Sequence, residues 1–324
     1  MPLARRATSP ASAIVPVVVP YRLDLTASVL RRLSTNVVDR LTPDGTYVRA
    51  FDGFARPAIV SVRQLRDDAL EVTLDAPAGE EARALALVER MLGVATDLGP
   101  FERRAARIPW LSALARRMRG VMPPRYPTLW EACVNAIVFQ QISLFAAAAI
   151  MRRLIEALGA RVAYGNEHLY AFPQPNLVMD ASDATLGRAG LSANKMAALR
   201  NVAHALLEGT LDEVALEERS SPEAADVLTS IKGIGPWTAA VVLLRGLGRL
   251  DVFPAKDSGV ARSVAAITGE PVDVTAALET LGDKRGMLYY LLLLARLEAS
   301  GEITARSSPR TRRSRARTDP AGRT

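Results

Sequence analysis

The stretch IKGIGPWTAAVVLLRG, Ile231 to Gly246, decides how the rest of the chain is read. Two glycines two residues apart let the backbone approach a neighbour closely and turn its N–H groups outward. Pro236 then stands at the first position of a predicted helix, where its missing N–H had no intrahelical partner to lose. With SPEAADVLTSI before it, the pattern predicts a helix, the hairpin KGIG and a second helix. N–H groups around Gly233 and Gly235, together with the positive end of the second helix, suit an anion such as a phosphate. Lys232 adds a charge. A tight hairpin in any helical protein has the same use for glycines, so the remaining segments must decide.

Composition narrows the classes. The 324 residues are 49% apolar and 23% charged, which suits a soluble globular chain long enough for two domains. Cys133 is the single cysteine, which excludes a disulfide framework, a four-thiolate zinc site and a cysteine-ligated iron–sulfur cluster, and fits a reducing cytoplasm. His168 and His204 lie in unrelated segments without metal-ligand spacing. The formal charge is +7, but Ala305 to Thr324 holds seven arginines against one aspartate, so the body stands near +1. Any basic face is therefore local. Arg103, Arg104, Arg107, Arg116, Arg117, Arg119 and Arg125 are the candidates, read equally well as a phosphate-binding face or a solvated helix face. No apolar run reaches the ~20 residues of a membrane span. RRATSPASAIVPVVVP imitates a signal peptide, but Pro16 and Pro20 interrupt it and no small-residue cleavage site follows.

Along the chain, residues 1–12 read as a disordered start. Residues 13–100 read as a small α+β domain with an antiparallel sheet. AIVPVVV, TYVRAF, AIVSVRQL and ALEVTLD are its strands, separated by TPDG, GFARP and RDD turns. TASVLRRLSTNVVDRL carries helical spacing, with Thr26 or Ser28 as N-cap, and EEARALALVERML forms a second helix. After Gly99 and Pro100 the strand signal ends, and residues 101–302 read as one helical region. The apolar run from Thr128 is expected to break near Gln141, with Ser143 capping a new helix. Residues 303–324 read as a disordered basic tail. The fold class is mostly α with a small N-terminal α+β domain.

The segment RLDVFPAKDSGVARSV places Asp257 22 residues after Gly235 at the start of a further helix. With AIVFQQIS, AGLSANKMAALRNVA, the hairpin, DVFPAKDSGV and KRGMLYYLLLLARL in this order, the chain resembles the helix-hairpin-helix (HhH-GPD) DNA glycosylase superfamily, in its 3-methyladenine DNA glycosylase II (AlkA-type) branch. The likeness extends over nearly the whole chain.

That resemblance implies a monofunctional base-excision repair glycosylase that flips alkylated purines out of duplex DNA and hydrolyses the N-glycosidic bond. The alternatives are the same fold acting on oxidised or deaminated bases, and a non-catalytic DNA-binding protein. Asp257 takes the place of the catalytic carboxylate; without the motif it would be read as an N-cap. Trp237 stands where bifunctional members carry a Schiff-base lysine, which implies no lyase step and a role in the base pocket, against plain core filling. Gln140, Gln141 and Ser143 match the segment entering the DNA minor groove, and Lys232, Gly233 and Gly235 the phosphate-binding hairpin. Two departures bear on the pocket. Val241 stands where the branch carries a tyrosine, and Leu293 near where a late aromatic is expected; Tyr289 and Tyr290 either compensate or only pack. Lys256 either favours an ionised Asp257 or points away. The resemblance further implies no required cofactor, an alkali ion at the hairpin backbone, double-stranded DNA as partner, a monomer, no membrane, and a cytoplasmic, nucleoid-associated location.

Overall fold

Alternation in the first hundred residues becomes one antiparallel sheet in the computed structural model, which describes residues 10–254, 258–269 and 272–304. Its strands are β1 (Ala11–Pro16), β2 (Arg40–Leu41), β3 (Tyr47–Phe51), β4 (Ala58–Arg66) and β5 (Ala69–Asp75), in the order β1-β5-β4-β3-β2. Val15 faces Leu70, Val62 faces Val72, and Tyr47 faces Val62 across the ladders. In β5, Leu70, Val72 and Leu74 are buried while Glu71, Thr73 and Asp75 are less covered, the mark of a sheet with one packed face. That face packs on α1 (Leu23–Arg31) and α2 (Glu81–Leu92).

Helix α1 differs from expectation at both ends. It starts at Leu23 with Arg22 as an N-cap lacking a side-chain bond, so neither Thr26 nor Ser28 caps it. Thr26 Oγ1 instead accepts from Met122 N at 3.0 Å, and Ser28 Oγ donates to Asp24 O at 2.6 Å. The helix stops at Arg32, whose φ is +57°, because Asn36 Oδ1 accepts from the N–H groups of Val38 and Asp39 and offers the backbone an alternative to the helix.

The helices that follow are α3 (Gly99–Ala105), α4 (Pro109–Arg117), α5 (Leu129–Val138) and α6 (Leu144–Leu158), then α7 (Pro175–Asp180), α8 (Asp183–Ala189), α9 (Ala193–Leu207) and α10 (Glu213–Glu217). The hairpin pair α11 (Ser221–Thr229) and α12 (Pro236–Arg245) precedes α13 (Ser258–Thr268), α14 (Val274–Leu281), a 3-10 turn (Gly282–Lys284) and α15 (Met287–Ala299). The break expected near Gln141 is present: Ser143 Oγ accepts from Ala146 N at 3.1 Å and caps α6. Helix α5 is buried along its whole length and packs on α9 and α12, so it forms the axis of one core. A second core joins the inner sheet face and α1–α4 to α15.

The expectation that strands end at residue 100 is corrected by a hairpin, β6 (Arg161–Tyr164) and β7 (Glu167–Tyr170), turning at Gly165-Asn166 with φ +56° at the glycine. Its alternating pattern and glycine-first two-residue loop carry the ordinary hairpin signal. Leu169 and Ala171 pack on Val48, Ala50 and Ile59, covering the outer face of β3 and explaining why that strand is buried on both sides. On the inner side, Arg49 pairs with Asp39 at 2.6 Å and with Glu131 of α5, a buried ionic bridge from sheet to helical core.

Candidate active site

The helical hairpin is built by two different uses of glycine. Gly233 has φ +104°, and a Cβ added there would lie 2.3 Å from the Ala198 Cβ, so the turn is pressed against α9. Gly235 caps α12 with φ −94°, and an added Cβ would meet nothing within 4 Å. Its missing side chain therefore serves no contact inside the chain; it leaves open the approach to the start of α12. Among the described residues, the N–H groups of Lys232, Gly233 and Gly235 make no intrachain hydrogen bond, and Lys232 and Gly233 are exposed. Free N–H groups beside a helix N-terminus form an anion site.

The hairpin carbonyls are held. Asn201 Nδ2 donates to Lys232 O at 2.9 Å, and Gln140 Nε2 donates to Gly233 O at 3.1 Å and to Thr238 Oγ1 at 2.6 Å. Gln140 thus ties the α5–α6 junction to the hairpin. Lys195 fixes the same junction from α9, its ammonium donating to Val138 O at 2.7 Å and Gln140 O at 3.0 Å. Partial burial lowers its pKa below the usual lysine value. Between these anchors the chain turns outward. Gln141 has φ +56°, a conformation rarely adopted by a residue with a Cβ, and Gln141, Ile142 and Ser143 are exposed. Phe145, just beyond, is 55% exposed.

Hairpin and junction border one cleft of about 1070 Å³. Its walls include Phe139 to Leu144, Gly235 to Thr238, Val260, Arg262 and Ser263 of α13, and Tyr289, Leu292, Leu293 and Arg296 of α15. Trp237 is partly buried on this wall. Asp257 and Lys256 lie outside the described residues; Asp257 directly precedes Ser258, the first residue of α13. Among the described residues the cleft has three arginines, Arg32, Arg262 and Arg296, and no lysine or carboxylate. Such a lining attracts anions and acceptor-rich groups.

The sequence-level candidates sort accordingly. Gln140, Gln141, Ser143, Gly235 and Trp237 share the cleft, and Lys232 and Gly233 stand at its hairpin edge. Val241 is buried in the helical core and does not line the cleft. The two tyrosines divide: Tyr289 lines the cleft, whereas Tyr290 packs in the core with its hydroxyl donating to Leu244 O at 3.2 Å. None of the seven arginines of the 103–125 group lines the cleft. Arg104, Arg117, Arg119 and Arg125 pair with Asp283, Glu298, Glu102 and Glu217, which favours the solvated-face reading. Arg32 was not legible as a cleft residue, since it comes from the N-terminal α+β segment and only the docking of α1 on α15 brings it there. No group of three or more His, Cys, Asp or Glu among the described residues is placed to hold a metal ion.

An antiparallel sheet backs a helical region, and a glycine hairpin between two helices stands at the edge of a cleft lined by three arginines, an arrangement of the helix-hairpin-helix class. Residues 134–279 match the family model described as HhH-GPD superfamily base excision DNA repair protein. The DNA-3-methyladenine glycosylase of Bacillus subtilis is 29% identical over 168 residues, 52% of this chain and 55% of that protein. DNA-3-methyladenine glycosylase 2 of Escherichia coli is 31% identical over 147 residues, 45% of this chain and 51% of that protein. The chain thus spans about half the length of these two curated relatives. A solved 3-methyladenine DNA glycosylase from Archaeoglobus fulgidus superposes with a TM-score of 0.73 at 25% identity, covering 88% of this chain and 99% of that one. The chain is thus similar to the HhH-GPD superfamily over residues 134–279, and to 3-methyladenine DNA glycosylases among its relatives.

Proposed function

We propose that this protein is a monofunctional DNA glycosylase that removes alkylated purines of the 3-methyladenine type from duplex DNA and leaves an abasic site. The observation that carries the proposal is the cleft itself: the hairpin, the outward-turned Gln141 junction, Trp237 and the first turns of α13 all border one space. The relatives named as 3-methyladenine glycosylases point the same way.

In this reading the N–H groups of Lys232, Gly233 and Gly235, with the Lys232 ammonium, hold a backbone phosphate without reading sequence. Gln141, carried on a positive-φ residue between two fixed anchors, fills the gap left by the flipped nucleotide. Gln140 and Ser143 act behind it, one bracing the hairpin and the other capping α6. The extruded base stacks on Trp237, whose π face attracts a cationic alkylated purine. Asp257 supplies the carboxylate that stabilises positive charge developing on the sugar. A water oxygen bonds to C1′ as the C1′–N bond breaks. The bonding pair leaves with the base and neutralises its charge, and the water proton passes to the carboxylate or to solvent. The indole at Trp237 cannot form an imine, and no lysine lines the described cleft, so the reaction ends at the abasic site.

An alkali ion at the hairpin would bind through backbone carbonyls. Those of Lys232 and Gly233 each already accept one amide, leaving a lone pair apiece, so they fit a weakly held ion that would help anchor the phosphate. A monomer acting on chromosomal DNA in the cytoplasm completes the proposal. The test is incubation with methylated duplex DNA, scoring free bases and strand breaks before and after hot alkali. Methylpurine release with breaks only after alkali supports it. Breaks without alkali refute the monofunctional mechanism, and absence of release refutes the alkyl-base assignment.

A further inference from the structure

Positive charge is unevenly distributed along the chain. Ala305 to Thr324 holds seven arginines against one aspartate, a net +6, whereas the rest of the chain stands near +1. Over the body, surface arginines are often neutralised where they stand: Arg56 pairs with Asp75, Arg63 with Glu71, Arg117 with Glu298 and Arg119 with Glu102. Cations already paired add little to the attraction of a polyanion such as duplex DNA. Residues 305–324 contain no aliphatic or aromatic side chain larger than those of alanine and proline, so they have nothing to bury in a core. These residues lie outside the described ones, but the point where they begin is fixed. Glu302 is tied to the end of α1, its backbone oxygen accepting from Arg31 Nη2 at 2.7 Å and its carboxylate from Ser34 N at 2.8 Å, while Ile303 packs on the core. Arg32, between those two partners in sequence, lines the cleft, as do Tyr289, Leu292, Leu293 and Arg296 of α15. The arginine-rich segment therefore starts beside the cleft, just past an anchored glutamate.

We propose that residues 305–324 act as an electrostatic arm for duplex DNA, holding phosphates outside the stretch of duplex that meets the cleft and raising affinity for damaged and undamaged DNA alike. The proposal rests on the DNA partner of the glycosylase reading, not on its base assignment. The starting point of the segment favours DNA over other polyanions, because it stands beside the cleft to which that reading brings the duplex. The cleft itself is not the target of the arm: its described lining has three arginines and no carboxylate, so it repels a segment of the same charge. Twenty residues span at most ~70 Å, whatever their arrangement. Duplex DNA presents a charge every ~1.7 Å, so that reach takes in far more phosphates than the arm has arginines. With the body already on the same duplex, each further contact is intramolecular and gains from a high effective concentration. Contacts to phosphate depend on charge and read no sequence.

The experiment compares wild type with two full-length variants, one with all seven tail arginines, Arg306 to Arg323, changed to glutamine and one with the same seven changed to lysine. Affinity for undamaged duplexes of about 30 and about 10 base pairs is measured by fluorescence anisotropy across a salt series. Single-turnover release of methylpurines at saturating enzyme and thermal melting are read beside it. Each phosphate neutralised adds about 0.9 to the slope of log affinity against log salt, so the glutamine variant should have a slope shallower by about 3–6 on the long duplex. Its affinity there should fall at least about tenfold at low salt, and by less on the short duplex. The lysine variant should keep the wild-type slope, and melting and the saturated release rate should be unchanged in both. Equal slopes for wild type and the glutamine variant overturn the proposal, as does a loss as large on the short duplex as on the long one. A changed release rate at saturation also overturns it, since the segment then belongs to the site itself. Binding to phosphatidylglycerol vesicles that falls in the glutamine variant while the DNA slope stays the same overturns it in favour of a membrane surface. A wild type that shows the steep slope but frees no base supports the arm while refuting base excision, and a wild type that binds no DNA overturns both.

Discussion

Gly233 and Gly235 are two residues apart in one hairpin, yet alanine should have opposite effects at them. At Gly233 the backbone φ of +104° disfavours any L side chain, and the new Cβ would stand 2.3 Å from the Ala198 Cβ and 3.0 Å from its Cα. The left-handed conformation costs about 1–2 kcal/mol and the overpacking about 1–3 kcal/mol, roughly 2–5 kcal/mol together. For domains of this size that is a fall in melting temperature of roughly 5–15 °C. At Gly235 the φ of −94° and ψ of 175° suit alanine, and the Cβ enters open space. A weaker N-cap and a less flexible unfolded chain offset each other, each within about 1 kcal/mol, so melting should be unchanged. The methyl group nonetheless sits where the proposed function brings a phosphate. Loss of one hydrogen bond to a charged group, about 1.5–3 kcal/mol, corresponds to roughly a ten- to hundredfold loss of DNA affinity. Thermal melting and fluorescence anisotropy with an abasic duplex read both quantities. Unaltered DNA affinity in Gly235→Ala, or wild-type melting in Gly233→Ala, would refute the assignment of the two glycines.

Further tests concern the buried groups. Replacing Arg49 by methionine strands Asp39 and Glu131 in the core and should cost about 3–5 kcal/mol near pH 8. Burial raises the Glu131 pKa in the fold even with Arg49 beside it. A carboxyl with a raised folded pKa supports the fold when protonated and loses that support as pH rises through the folded value, so the variant's deficit should shrink towards pH 5. Melting curves across that range check it, and a deficit that grows on acidification contradicts it. Cys133 is fully buried and its thiol pKa is pushed up to about 12, so the native protein should resist alkylation at pH 8 and react only as fast as it opens. Rapid modification of the folded protein would count against the burial of α5.

Much of the architecture was legible because local chemistry and tertiary role agree. Ser143 caps α6 as its type and position imply, and alternation in ALEVTLD matches the burial of β5. The KGIG turn and Pro236 mark the hairpin, and residues of AIVFQQIS, of the hairpin and of KRGMLYYLLLLARL line one cleft. Illegible features depended on distant contacts. Thr26 and Ser28 look like caps, but the helix begins earlier and uses their hydroxyls inside its own turns and towards Met122. The hairpin around Gly165 was hidden among helices although its pattern was regular, and its packing on β3 could not be foreseen. Gln140 and Gln141 are identical neighbours in sequence; only the position of Gly233 O and Thr238 turns one inward while the other stays exposed. Arg32 enters the cleft from another part of the chain, with no local signal.

The central proposal is that this protein excises bases and that Asp257 is the residue that performs the excision. It is tested most directly by measuring, with one preparation each of wild type and Asp257→Asn, both release of methylpurines from duplex DNA and affinity for an abasic duplex. The account requires release by wild type, loss of release by at least about a hundredfold in the variant, and abasic-DNA affinity that is retained or increased. Release by the variant at the wild-type rate would contradict it, as would a wild type that binds DNA tightly and frees no base.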